Sequence, residues 1–427
     1  MDGADGRQLP RTRRWTSTDI RREQFAAQPT EWSFKILSQS KAPATMRLGK
    51  RLITDDSPCY VIAEVGHNHQ GSVEQCKQMF AAAKAAGVGG VKLQKRDNRS
   101  LFTKAMFNKP YENPNSFGAT YGEHREFLEF GRDEYLELKK YCLELEVDFF
   151  ATAFDLPSID FLEEIDLVAY KVASADIRNI PLLRRLAETG KPLLISTGGA
   201  GFGAVKQAYA TVSAGGADVA ILQCTAGYPA AWEELNLRVI TTYRDAFPGA
   251  VAGLSSHDNG IAMATAAYVL GARVIEKHFT LDRTMRGTDH SFSLEPQGMT
   301  KMVRDLDRLH LALGDGEKCV YDSEKAPIQK MSKSLFVARD LPAGHVLRAE
   351  DLTMKSPGDG LAPSELDVVV GARLVTDVHA ETMLTFELTE LADGVERPVD
   401  TVRYPPLEQV PVLRNRFGHG SGRVAAR

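Results

Sequence analysis

The sequence predicts a (β/α)8 TIM barrel followed by a small β-rich module, and three observations carry that expectation. Between about residues 56 and 313, apolar runs of five to eight residues alternate with amphipathic helical stretches. Every run carries a polar side chain at or near its C-terminal end. Past about residue 333 the helical stretches give way to short strands and tight Pro/Gly turns.

The runs are CYVIAEVG (59–66), GVGGVKLQ (87–94), VDFFATAF (147–154), AYKVAS (169–174), PLLISTG (192–198), VAILQCT (219–225), AVAGLSSH (250–257) and VIEKHFT (274–280). Their almost continuous apolar character marks strands buried on both faces, as in a parallel sheet. The stretches between them, such as QCKQMFAAAKAAG and NIPLLRRLAETG, are amphipathic and closed by Gly at their C-terminal ends. Eight such units in about 255 residues suit a closed barrel, and no Gly-rich dinucleotide fingerprint favours an open sheet.

A barrel carries its chemistry where the C-terminal ends of the strands converge. There the sequence places Glu64, Lys92 with Gln94, Thr152, Lys171 with Ser174, Ser196, Thr225, Ser255 with His257, and Lys277 with His278. The stretch from Gly253 to Arg283 reads as strand, helix and strand, so its two histidines, 21 residues apart, point at one spot. A lone histidine at a strand end more often hydrogen-bonds locally than binds a metal. This pair lies among Ser255, Asp258, Lys277, Asp282 and Asp289, surroundings too polar for a core, and reads as a divalent metal site.

Lysines interleaved with hydroxyls suit the phosphate of a small molecule. Two imidazoles leave most metal positions open for water and a substrate oxygen, and such a metal polarises a carbonyl. Together these point to carbon–carbon bond formation, with a Schiff base on Lys171 as the alternative route.

The connection from Lys95 to Arg132 is long for a βα loop; it either folds over the barrel mouth or is a peripheral insertion. The expected divisions are a flexible extension over 1–48, the catalytic barrel over 49–314, a linker over 315–333, the β-rich module over 334–393 and a flexible tail over 394–427. A net charge of −4 gives no sign of nucleic acid as a partner. No apolar run reaches the ~18 residues a membrane span needs. Five cysteines without CxxC spacing read as the reduced thiols of a cytoplasmic protein.

The segments IAEVGHNHQGS, AGVGGVKLQK, YGEHREFLEF, ATAFD, YKVASADI, QCTAGYP, GLSSHDNG, EKHFTLDR and GTDHSFSLEP resemble the sialic acid synthase family, and the terminal module resembles its antifreeze-like (SAF) domain. The resemblance runs in order over about residues 50 to 392. It implies condensation of phosphoenolpyruvate with an N-acetylated hexosamine, N-acetylmannosamine or its 6-phosphate, to a 2-keto-3-deoxy nonulosonic acid and phosphate. It also implies His257 and His278 as ligands of Mn2+ or Mg2+, with Glu64 beside the metal. Lys92, Thr152, Lys171, Ser174, Ser196 and Ser255 match positions that hold phosphoenolpyruvate, and Gln94, Asp176, Tyr228 and Asp289 match the sugar-facing set. A homodimer with exchanged terminal modules is implied as well.

The chain departs from the bacterial pattern at Ala226 (usually Asn), Asp176 (usually Glu) and Ser356 (usually an Arg that meets the acetamido group of the sugar). These positions leave open a synthase of the same chemistry acting on a different aldose. A reading from another class is an inactive barrel that only binds sugar, against which the retention of Glu64, Lys92, Lys171, His257 and His278 argues.

Overall fold

The computed structural model describes residues 44–398. Most of the expected N-terminal extension and C-terminal tail lies outside the described residues. The chain divides into two compact units, the first ending at Gly314 and the second beginning at Asp315.

The first unit opens with an antiparallel hairpin, β1 (Thr45–Leu48) and β2 (Arg51–Thr54). The boundary expected between residues 48 and 49 therefore falls in its turn, where Gly49 takes the positive φ of 53° that a tight turn needs. Met46, Leu48 and Ile53 point into a buried cluster with Tyr60, Ile62, Phe150, Leu194, Val251 and Val274. The hairpin thus plugs the end of the barrel where the strands begin.

All eight expected strands form: β3 (Tyr60–Gly66), β4 (Gly90–Lys95), β5 (Asp148–Ala153), β6 (Tyr170–Val172), β7 (Leu193–Ser196), β8 (Val219–Cys224), β9 (Val251–Ser256) and β10 (Val274–His278). They close into a parallel barrel in sequence order, with β10 returning to β3. Side chains alternate between two cores. Ile275, Ile195 and Val172 pack outward against the helices, whereas Val274, Leu194 and Phe150 fill the barrel axis.

Along the axis the chemistry changes layer by layer. The apolar layer of Ile62, Phe150, Ala169, Leu194 and Val274 is followed two residues later on the same strands by Glu64, Thr152, Lys171, Ser196 and Glu276. An apolar plug and a polar mouth are thus set by one period-two pattern. No helix among the described residues is long and apolar enough to cross a membrane.

The second unit begins with a helix, Asp322–Met331, so the stretch expected as a plain linker is partly helical. Four short strands follow: β11 (Ser334–Val337) paired with β12 (Leu352–Lys355), and β13 (Arg373–Leu374) paired with β14 (Thr389–Glu390). Leu335, Val337, Leu347, Leu361, Leu374, Leu384 and Phe386 are buried together as its core.

Asp351 is buried beneath that core's edge and bonded by Arg339 (2.6 Å), His345 Nε2 (2.7 Å) and the Arg348 backbone N–H (3.0 Å). Burial opposes the charge, but these donors outweigh it and hold the carboxyl down to about 2. A carboxyl depressed on folding stabilises above its unfolded pKa of about 4, and that stability is lost as pH falls toward 2. Asp351→Asn is expected to cost roughly 2 kcal/mol at neutral pH. Hydrogen exchange over residues 334–390 should accelerate in the variant at pH 7 and converge with wild type in acid.

Candidate active site

The strand ends of the barrel surround a cavity of about 870 Å³. Glu64, Lys92, Gln94, Thr152, Lys171, Ser174, Ser196, Tyr228, Ser255, His257, His278 and Asp289 all line it. Asp176 does not. It sits on a short 3-10 turn, Ser174–Asp176, and its carboxylate accepts a bond from Asn179 (3.2 Å). The turn holds this carboxylate against its own helix start.

The polar ring is built by register. Glu64 on β3 stands opposite Lys92 on β4, and Gln94 opposite Thr152 on β5. Lys92 Nζ lies 2.5 Å from Glu64 Oε2 and donates to Thr152 Oγ1 at 2.8 Å. Gln94 donates to the other Glu64 oxygen at 2.7 Å. Lys171 donates to Ser196 Oγ at 2.5 Å, and Glu276 lies 3.9 Å from both lysines. Burial pushes the Glu64 carboxyl up to about 7, against the pull of Lys92. Burial also lowers Lys171. Gly66, at a φ of 54°, lets the strand turn away here: a Cβ would stand 3.2 Å from Glu64 Oε1 and 3.3 Å from Gln94 Nε2.

The two imidazoles lie side by side with centroids 5.3 Å apart, wedged by Phe292. His257 Nδ1 is 2.9 Å from the Thr225 carbonyl, which only accepts, so Nδ1 carries the proton and Nε2 keeps its lone pair. Burial holds His278 below its usual pKa. Its Nδ1 has no hydrogen-bond partner and lies 3.7 Å from Asp289 Oδ2. Two imidazoles, one oriented by a backbone carbonyl and one with a bare nitrogen, fit a divalent cation. Among the described residues no group of three or more His, Cys, Asp or Glu closes around a point, so the pair would leave coordination positions open.

Lys277 and Asp258, read from the sequence as neighbours of the histidines, pair with each other at 2.9 Å outside the cavity. The interior residue of β10 beside His278 is Glu276, a position that counting back by two identifies. Cys224, at the end of β8, also lines the cavity, 3.5 Å from Ser174 Oγ.

The long connection after β4 contributes the remaining wall. It carries helices Asn98–Leu101, Lys104–Phe107 and Tyr121–Phe127 and packs on itself, with Phe107 pressed against Gly122 and Phe117 stacked on Phe127. Pro110 bridges Thr120, and Lys95 Nζ ties the two ends by donating to the Phe130 carbonyl at 2.9 Å. From it Arg96, Asn115 and Arg125 reach the cavity, as does His67 from the loop after β3. None of these four was singled out from the sequence, although His67 and Arg125 fall inside its most distinctive segments.

A parallel barrel whose mouth pairs buried lysines with hydroxyls and imidazoles has the layout of an enzyme site for a phosphorylated small molecule. The comparisons with known proteins make this specific. The chain belongs to the NeuB family, whose model matches residues 79–318, and a SAF domain matches residues 332–388. It is 37% identical over 341 residues to the N-acetylneuraminate-9-phosphate synthase of Homo sapiens, which covers 80% of this chain and 95% of that protein. It is 35% identical to the N,N'-diacetyllegionaminic acid synthase of Legionella pneumophila, covering 78% of this chain and 95% of that one. The crystal structure of the N-acetylneuraminic acid (sialic acid) synthetase of Leptospira borgpetersenii, in complex with citrate, superposes with a TM-score of 0.59 at 30% identity, over 67% of this chain and 95% of that one. The chain is accordingly a phosphoenolpyruvate-dependent condensing synthase, a transferase.

Proposed function

We propose that the protein condenses phosphoenolpyruvate with an N-acetylated hexosamine, N-acetylmannosamine or its 6-phosphate, to give a sialic acid-type 2-keto-3-deoxy nonulosonic acid and phosphate. The observation that supports this best is the meeting of Lys92 and Lys171 with the Thr152, Ser174 and Ser196 hydroxyls in the same cavity as the His257–His278 pair. The ammonium groups offset phosphate charge and the hydroxyls donate to its oxygens. In the reaction, C3 of phosphoenolpyruvate bonds to the aldehyde carbon of the open-chain sugar, water adds at C2, and the C2–O bond to phosphate breaks.

His257 and His278 would hold Mn2+ or Mg2+, which when bound supplies Lewis acidity at the sugar aldehyde. The chain's own residues do the rest. Lys92 and Lys171 fix the donor and carry charge off as phosphate leaves. Glu64, raised to about 7 by burial, is suited to exchange a proton with the water that adds at C2. Glu64→Gln is expected to lose turnover by roughly 100-fold or more, with Mn2+ binding retained in a calorimetric titration; near-normal turnover would remove this role.

A second reading, the same chemistry on a different aldose, draws support from Asp176 facing Asn179 and from Ser356, whose hydroxyl sits 2.5 Å from Lys333 within its own unit. Phosphate release from phosphoenolpyruvate with Mn2+, compared across N-acetylmannosamine, its 6-phosphate, other hexosamines and simple aldoses, separates the two. Release with none of them would sink both and leave a sugar-binding barrel. In the same proposal the working form is a homodimer that exchanges terminal modules; full activity from a species of monomer mass would remove that part.

A further inference from the structure

At the wall of the cavity built by the long connection, His67 is caught between two guanidinium groups. Arg96 Nη1 lies 3.0 Å from His67 Nε2, and Arg125 Nη1 lies 3.0 Å from His67 Nδ1. A neutral imidazole has one N–H and one lone pair. Only one arginine can therefore donate to the ring, and the other turns N–H against N–H. Protonation does not resolve this, since it would set donors against each other on both sides; burial and both arginines hold His67 well below its usual pKa.

The surrounding charges do not close the arrangement. Glu129 lies 3.8 Å from both His67 Nε2 and Arg96 Nη1, but it also serves Lys95 Nζ at 3.4 Å and accepts from the Arg96 backbone N–H. Asp289 lies 3.7 Å from His278 Nδ1, and its charge also acts on His67, Arg96 and Arg125. Among the described residues Arg125 forms no ion pair: its guanidinium is held by the Tyr121 hydroxyl (3.0 Å) and by His67. Arg96 is buried over the Phe154 ring, and Arg125 is half-buried. Arg96 Nη2 donates to Gln94 Oε1 at 2.7 Å, and the two arginines stand in the cavity wall with one neutral ring between them.

We propose that Arg96, His67 and Arg125 form a second anion subsite that takes a phosphomonoester on the acceptor sugar, at the end remote from its aldehyde. The inference rests on the condensing reading above and deepens it. A phosphate oxygen placed between the guanidinium groups supplies the anionic acceptor that Arg125 lacks among the described residues and lets His67 donate its single N–H. Lys92 and Lys171 remain for the phosphate of phosphoenolpyruvate, so one cavity holds two phosphates at separate cationic poles.

The test compares kcat/KM for N-acetylmannosamine 6-phosphate, N-acetylmannosamine and the corresponding N-acetylated uronic acid, with saturating phosphoenolpyruvate and Mn2+, in wild type, Arg125→Gln and Arg96→Gln. Wild type is expected to prefer the phosphorylated sugar, and Arg125→Gln to cut that preference roughly 10- to 100-fold, mainly through the KM of the acceptor. Arg125→Lys should restore part of it, which a merely structural role would not require. A preference unchanged within about twofold in both glutamine variants overturns the subsite. So does a wild type that favours the unphosphorylated sugar or the uronic acid. Failure of every sugar in wild type would instead strike the condensing reading itself. Thermal melts matching wild type certify that a lost preference is not lost folding.

Discussion

Lys92→Met is expected to abolish turnover, by roughly a thousandfold or more, and to destabilise the barrel by about 3–5 kcal/mol. The lysine is 2% exposed and stands between Glu64 and Thr152. With it gone, Glu64 keeps only the Gln94 amide as a donor and is left as a buried carboxylate without its cation. Adding Glu64→Gln should recover most of the lost stability in urea denaturation and none of the activity. That split separates the neutralising of Glu64 by Lys92 from the phosphate-holding role proposed for it. A double variant as unstable as the single one would show that the penalty lies in packing.

The second large effect is expected at the opposite end of the barrel. Met46 is fully buried in the plug with Tyr60, Phe150 and Val274. Met46→Ala should cost about 3 kcal/mol through lost transfer energy and a cavity, while activity per folded molecule stays unchanged because the polar mouth lies beyond the apolar layer. Met46→Asp places an unpaired charge in the same cluster and should leave little folded protein. Denaturation midpoints and the active fraction after refolding check both; a loss of turnover in folded Met46→Ala would show that the plug and the mouth are coupled.

Why was the barrel so legible and its two ends less so? Each strand is a long apolar run, buried on both faces, and a run of that kind has few other homes. The hairpin escaped because TMRL and RLIT are four-residue strands of modest apolarity beside a polar, arginine-rich stretch, and only their contact with the barrel's open base makes them strands. Lys92, Thr152 and Lys171 line one cavity because strand ends converge in a barrel, and that much is legible in the sequence.

What the sequence leaves unread has physical reasons of the same kind. Lys277 stands beside His278 at the strand end, yet neighbours on a strand face opposite ways, and the inward position belongs to Glu276. Asp176 follows a strand end by a turn whose direction no periodicity encodes. Arg96 and Arg125 sit 29 residues apart on an irregular segment, and nothing local says they meet at His67.

That irregular segment has a consequence of its own. Its helices pack on one another, its ends are pinned together beside the strand, and Arg125 projects from it into the shared cavity. It is in effect an exchangeable cassette. Grafting residues 97–129 from a relative would exchange Arg125 and the wall it stands on while His67, Arg96 and the strand-end residues stay as they are.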